Sequence, residues 1–314
     1  MKQTPDISFV IPMYNEEEVI ASFFATMEKS LSKLKKYTYE YVCINDGSTD
    51  KTLSILKSYA KKHSNIKIVS FSRNFYKEQA LFAGLQEARG RCIIPMDADL
   101  QDPPELISKF VKKWEEGYEV VYGVRIDRQR DTLVKRLTAK IFYKIFNLVA
   151  ETPIPENTGD YRLMDRKVVD AILEIRENKL FMKGIFSWVG FKSCGIEYKR
   201  PERVAGKTKF NYWKLWNFAL DGITASTTLP LRIWTYIGCI IGSISALYAI
   251  YIIFKTIFMG VAVPGYASLL VSILFFGSVQ LIVLGIFGEY LGRIFIEVKR
   301  RPRYIIDEKI NCDD

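Results

Sequence analysis

A chain of 314 residues, 49% of them hydrophobic, can bury a full core and has room for two domains. Its formal charge of +10 asks for an anionic partner, and a nucleic acid or a membrane surface would both serve. The single histidine, His63, sits in a polar K-K-H-S run, which excludes histidine triads and multi-histidine metal sites; chemistry must rest on carboxylates, Lys, Arg, Tyr or a metal. The five cysteines (Cys43, Cys92, Cys194, Cys239, Cys312) are scattered and form no C-x-x-C pair, so neither a disulfide framework nor a zinc ribbon is indicated. The N-terminus, M-K-Q-T-P-D, does not read as a signal peptide and is expected to lie in the cytosol.

Residues 7–11 form a short apolar strand that Pro12 closes. The following Y-N-E-E-E offers Asn15 as a cap and acids for a first helical turn, and Ile20, Phe23, Phe24, Met27 and Leu31 fall on one side of the helix. Residues 41–44 are a second strand, ending in N-D-G-S-T-D-K-T. There Gly47 permits a tight turn, and Ser48 or Thr49 can cap a helix over 51–62. A third strand at 66–71 leads through S-R-N-F-Y-K-E-Q-A into a helix to about residue 88, and a fourth strand covers 92–96. Strands alternating with helices predict a parallel α/β sheet.

The fourth strand runs into D-A-D-L-Q-D-P-P-E. Asp97 and Asp99 at i and i+2 share a face if the backbone stays extended, and such a pair can hold Mg²⁺ or Mn²⁺ with substrate phosphates completing the shell. Gln101 adds a neutral oxygen, and Pro104 opens a helix to about residue 116. In open α/β sheets ligands bind outside the carboxyl ends of strands, so Tyr14, Glu16, Asp46, Asp97 and Asp99 are expected to converge on one crevice. No G-x-G-x-x-G and no G-K-[ST] follows any strand, so a nucleotide here would be held by acidic contacts to base and ribose, its diphosphate bridged by metal.

Beyond a further strand at 120–125, two amphipathic stretches interleave apolar and basic or aromatic residues: Leu133, Leu137, Ile141, Ile145 and Leu148, then Phe210, Trp213, Trp216, Leu220 and Ile223. Each fits a helix on a membrane surface, with packing on the sheet as the alternative. Residues 233–254 and 266–287 each lack charge and would span about 33 Å as helix, enough to cross a bilayer. Arg232 before them and Arg293, Lys299, Arg300, Arg301 and Arg303 after them place both flanks in the cytoplasm.

The motifs P-M-Y-N-E, N-D-G-S-T-D-K-T and D-A-D-L-Q-D-P-P-E, in this order and spacing, resemble those of family 2 glycosyltransferases of GT-A fold. More narrowly the chain resembles the polyprenyl-phosphate glycosyltransferases, that is, the bactoprenol glucosyltransferases and dolichol-phosphate mannose synthases. The resemblance implies a GT-A domain over 1–204, an acceptor loop and juxtamembrane helix over 205–232, two membrane helices over 233–292 and a basic cytoplasmic tail over 293–314. It implies that Pro12, Tyr14, Glu16 and Asp46 surround the nucleoside, that Asp97 lies near ribose and donor phosphate, and that Asp99 and Gln101 coordinate the metal. Arg125 matches a family arginine near the acceptor phosphate, and R-V-A-G-K-T-K, from Arg203 to Lys209, resembles the acceptor loop. Arg136 joins Arg125, Arg203 and Lys209 as a candidate for holding that phosphate. Asp160, in N-T-G-D-Y-R-L, stands where the family carries an active-site acid; binding a sugar hydroxyl, positioning the acceptor or acting as a base are its open roles, positioning being preferred.

The expected reaction is inverting transfer of one sugar from a nucleotide sugar to undecaprenyl phosphate at the cytoplasmic membrane face, with both termini in the cytoplasm. UDP-glucose is the preferred donor, with UDP-N-acetylhexosamine, UDP-galactose, an aminoarabinose donor and GDP-mannose as alternatives. A homo-oligomer, with a tetramer as candidate, is implied by resemblance. The competing readings are a processive polysaccharide synthase, which lacks support because no Q-x-x-R-W motif occurs, and an inactive membrane-bound sugar-nucleotide or lipid sensor. Nucleic-acid binding is disfavoured because much of the positive charge borders the apolar spans.

Overall fold

A computed structural model describes residues 4–32, 34–126, 152–155, 157–178, 180–199 and 265–312, together with part of the stretch 236–258. An eight-stranded mixed sheet forms the centre, in the order β7-β5-β6-β4-β1-β2-β3-β8. Its parallel middle is β1 (Ile7–Met13), β2 (Tyr39–Asn45), β3 (Ile66–Phe71) and β4 (Cys92–Pro95), with β1 flanked by β2 and β4. Between them run α1 (Ile20–Leu31), α2 (Thr52–Lys62) and α3 (Lys77–Glu87).

Both sheet faces are covered, so the central strands read as near-continuous apolar runs. Side-chain alternation sorts them: Ile7, Phe9 and Ile11 join α1, α2 and α4 (Ile107–Glu115), while Val10, Val42, Ile44 and Val69 face α3, α5 (Arg166–Leu173) and α6 (Met182–Trp188). Helix α1 buries the five residues expected from its periodicity. Helix α3 approaches so closely that a Cβ at Gly84 would lie 2.2 Å from Val10 Cγ1.

Beyond β4 the topology turns mixed. The strand β5 (Val120–Arg125) matches expectation, and two unforeseen strands flank it: β6 (Thr158–Asp165), antiparallel to β4 and β5, and β7 (Ser193–Tyr198), parallel to β5. The stretch expected as a basic tail supplies the far edge, where β8 (Ile306–Ile310) pairs antiparallel with β3. Tyr304 stacks on Phe71 with centroids 4.7 Å apart, and Lys309 bonds Glu87 at 2.7 Å.

Helix α7 (Tyr266–Val298) continues past the predicted end at residue 287. Among the described residues it holds the one stretch long and apolar enough to cross a membrane, Phe275–Val298, with mean hydropathy 1.6. Its end docks on the sheet domain. Asn178 N–H donates to Glu297 Oε1 at 2.8 Å, and Arg303 donates to the carbonyls of Ile175 and Glu177 while its guanidinium lies over Phe82. The described positions of the first expected span, 233–254, are helical, with Tyr236, Ile240 and Leu247 exposed. The stripes at 133–148 and 210–223 lie outside the described residues.

Candidate active site

The first two strand ends are laced together by their own turns. Asn15, at φ 54, donates its N–H to Ser48 Oγ (3.0 Å) and accepts from Thr49 N–H on its side-chain oxygen (2.8 Å). Glu16 N–H donates to Thr52 Oγ1 at 2.9 Å, and Asp46 N–H to the Met13 carbonyl at 2.9 Å. Glu16 and Asp46 are thus tied in at the carboxyl ends of β1 and β2, where Pro12 and Tyr14 also fall in the chain. Beside them a hollow of about 310 Å³ is lined by Asn15, Glu16, Glu17, Glu18, Val19 and Asp50.

The capping expectations need correction. Helix α1 starts at Ile20 with no side-chain cap and no acid in its first turn, because Asn15 is engaged across the turn with Thr49. Likewise neither Ser48 nor Thr49 caps α2; the Asp50 carboxylate accepts from Thr52 N–H at 3.0 Å.

Asp46 is 3% exposed, and its Oδ1 accepts the Phe75 N–H at 2.6 Å. Burial pushes its carboxyl up to about 6, against the lowering effect of the Phe75 and Tyr76 N–H groups and of Arg73. Gly47 makes this closeness possible: its φ is +63, and a Cβ there would lie 2.3 Å from the Arg73 carbonyl carbon.

The D-x-D pair is not on a strand. β4 stops at Pro95 and residues 98–99 form a turn, so Asp97 and Asp99 diverge in environment. Asp99 is 8% exposed and accepts Gln101 N–H at 3.1 Å, while Asp97 N–H donates to Asp102 Oδ2 at 3.3 Å. Asp102, buried and overlooked in the sequence although it lies within the motif, also accepts from Tyr198 OH at 3.4 Å. It fastens the turn to β7.

Asp160 arrives on β6. Cys92 faces Asp165 and Ile93 faces Met164, so the antiparallel register carried forward brings Asp160 beside Asp97. Lys77, the first residue of α3, fills the space between them, its Nζ 2.7 Å from Asp97 Oδ1 and 2.9 Å from Asp160 Oδ2. Desolvation works against the ammonium, but Asp160 and Asp97 outweigh it and hold the lysine well above its usual range. Burial opposes the Asp160 charge in turn, and Lys77 and Lys183 overcome it, keeping the carboxyl well below the usual carboxylate range. Its Oδ1 is buried and accepts no hydrogen bond among the described residues. Glu78, next to Lys77, accepts Met182 N–H at 3.0 Å; burial, then the Asp160 charge, push it up to about 7.

Arg125 ends β5, opposite Tyr198 of β7. Arg136, Arg203 and Lys209 lie outside the described residues. Among the described residues no group of three His, Cys, Asp or Glu side chains stands ready to hold a metal by itself. Mg²⁺ and Mn²⁺ in nucleotide sites bind one or two carboxylates, with phosphates and water completing the shell. Asp99 and Gln101 carry the hard oxygen atoms that such an ion takes.

A mixed α/β sheet with acids just past the carboxyl ends of β1, β2 and β4 has the layout in which open sheets bind ligands. The sequence signature of glycosyl transferase family 2 matches residues 8–173. An uncharacterized glycosyltransferase of Synechocystis is 55% identical over 305 residues, covering 97% of this chain and 96% of its own. A prophage bactoprenol glucosyl transferase homolog of Escherichia coli is 53% identical over 300 residues (96% and 98%), and the bactoprenol glucosyl transferase of Shigella phage SfII is also 53% identical (96% and 97%). The chain belongs to glycosyl transferase family 2, with the α/β GT-A fold, and is a glycosyltransferase.

Proposed function

We propose that this enzyme transfers one sugar, glucose from UDP-glucose, to the phosphate of undecaprenyl phosphate at the cytoplasmic face of a membrane, with inversion and with Mg²⁺ or Mn²⁺. The observation that carries the reading is end-to-end identity of 53% with bactoprenol glucosyl transferases, combined with acids at the strand ends and an apolar helix docked on the catalytic domain. Two membrane helices, cytoplasmic termini and a homo-oligomer belong to the same proposal.

In this reading Tyr14, Glu16 and Asp46 take the nucleoside, Asp46 and Glu16 as acceptors for base and ribose donors, with Pro12 shaping the wall. Asp97 lies toward the ribose and donor phosphate. Asp99 and Gln101 would hold the divalent ion, which neutralises charge on the departing nucleoside diphosphate. Asp160 remains ionised beside Lys77, so it accepts a hydrogen bond from a sugar hydroxyl and orients the ring rather than shuttling protons. The acceptor phosphate has a second pKa near 6 and is largely dianionic at neutral pH, so it attacks without a general base. Arg125, Arg136, Arg203 and Lys209 hold it by charge-assisted hydrogen bonds.

The test is to incubate the detergent-purified protein with undecaprenyl phosphate, Mg²⁺ or Mn²⁺ and a panel of UDP- and GDP-sugars, and to weigh the lipid product. A gain of one hexose from UDP-glucose is expected. A lipid unchanged with every donor would overturn the reading, and a gain from another donor would replace the sugar.

A further inference from the structure

Three elements deliver the Lys77 cluster: the start of α3, the exit of β4 and the middle of β6. The ammonium neutralises the Asp97–Asp160 pair, whose negative charge would otherwise attract a divalent ion to this side of the crevice. What remains is thin as a metal site, since no further described acid completes a trio. Lys77 reaches the pair from a helix start on a flexible four-carbon stem, its side chain 46% exposed, whereas Asp160, 18% exposed, is fixed on a strand.

Lys77 is also wired to the other side of the crevice. Two residues earlier Phe75 donates to Asp46, and Tyr76 between them is held at φ 73, a left-handed conformation that costs a tyrosine energy and persists only where neighbours over-determine it. One turn thus spans the β2 strand end and the Asp97–Asp160 pair.

We infer that Lys77 is a charge-compensating latch, occupying the Asp97–Asp160 pair until a nucleoside diphosphate enters and gives the ammonium phosphate oxygens in exchange. The same phosphates supply the ligands that a divalent ion lacks at Asp99 and Gln101. Metal uptake then requires the nucleotide, which fixes an order of binding. The inference rests on the nucleotide-sugar reading above and adds that order to it.

The test is Mn²⁺ binding to the full-length detergent-solubilised protein, read from the electron paramagnetic resonance of the free ion, with and without UDP. Wild type is expected to bind Mn²⁺ at least about tenfold more tightly with UDP. Lys77→Met should gain at least about tenfold for Mn²⁺ alone, so that the further gain from UDP is smaller than in wild type, and Lys77→Arg should behave as wild type. Lys77→Gln, which retains hydrogen bonding without charge, should repeat the Met result and serves if Lys77→Met does not fold. Mn²⁺ binding by the neutral variants no tighter than wild type, or wild-type binding indifferent to UDP, overturns the latch. Wild type that takes up Mn²⁺ in neither condition overturns the nucleotide–metal reading itself, and the latch with it.

Discussion

The side chain of Asp46 and the backbone of Phe75, 29 positions apart, are joined by a hydrogen bond of 2.6 Å from the Phe75 N–H to Asp46 Oδ1. Through it the turn after β2 holds the turn after β3.

Burial raises Asp46 from its ordinary 3.8 to about 6, so the folded protein favours the neutral acid more than the unfolded chain does. Its contribution to stability is present below about pH 4 and is lost as pH rises through 6. Asp46→Asn should remove that dependence: thermal unfolding from about pH 4 to 7 should show wild type losing stability relative to the variant across the window. UDP affinity should follow the opposite course. Wild type should tighten as the carboxylate forms, while Asp46→Asn stays weak and flat in calorimetry over the same range.

Asp99 is nearly buried, and its carboxylate accepts Gln101 N–H within its own turn. An asparagine of the same shape can accept that bond, so Asp99→Asn should still fold to a cooperative native state. Turnover should fall by at least about a hundredfold, since the interaction with the divalent ion contributes several kcal/mol in the transition state. Near-normal turnover that still responds to Mg²⁺ would remove Asp99 from the metal site.

The parallel half of the fold was legible because β1 to β4 are apolar runs separated by helical periodicity, which puts Tyr14, Glu16 and Asp46 just past strand ends. The antiparallel half was not. β6 carries Asp160 and the buried Arg162, which break its alternation, and β8 reads as I-D-E-K-I after a basic run, with no local sign that it returns to β3. Lys77 was invisible for a related reason: a lysine in a polar turn resembles any surface lysine until β6 folds back and gives it a second carboxylate. The i, i+2 spacing of Asp97 and Asp99 misled on geometry, because Leu100 at φ 56 belongs to a turn that Asp102 fastens.

Gly47→Ala tests whether the crevice depends on backbone contact. The substitution meets two obstacles, a left-handed φ of +63 and the Arg73 carbonyl carbon 2.3 Å from the new Cβ. The first alone costs about 1 kcal/mol or more, and neither neighbour is a movable side-chain tip. The turn at 73–76 must shift, carrying the Phe75 N–H away from Asp46. A lower melting temperature together with at least about tenfold weaker UDP binding is expected; full UDP affinity in the variant would show that the turn's position does not matter.

Deleting residues 304–314 should do more than trim a tail. The strand β8 covers the edge of β3, Tyr304 covers Phe71, and Lys309 partners Glu87, whose side chain is 9% exposed. Without them β3 presents an unpaired apolar edge, a template for pairing between molecules, and Glu87 becomes an uncompensated buried acid. Size-exclusion chromatography in detergent should show aggregation, and thermal unfolding a clear loss. Lys309→Met separates the two contributions: it keeps the strand and removes the ion pair, so it should lower stability by about 1–3 kcal/mol while the protein stays monodisperse. A truncated chain that remains monodisperse and as stable as the whole would show that β8 is dispensable to the sheet.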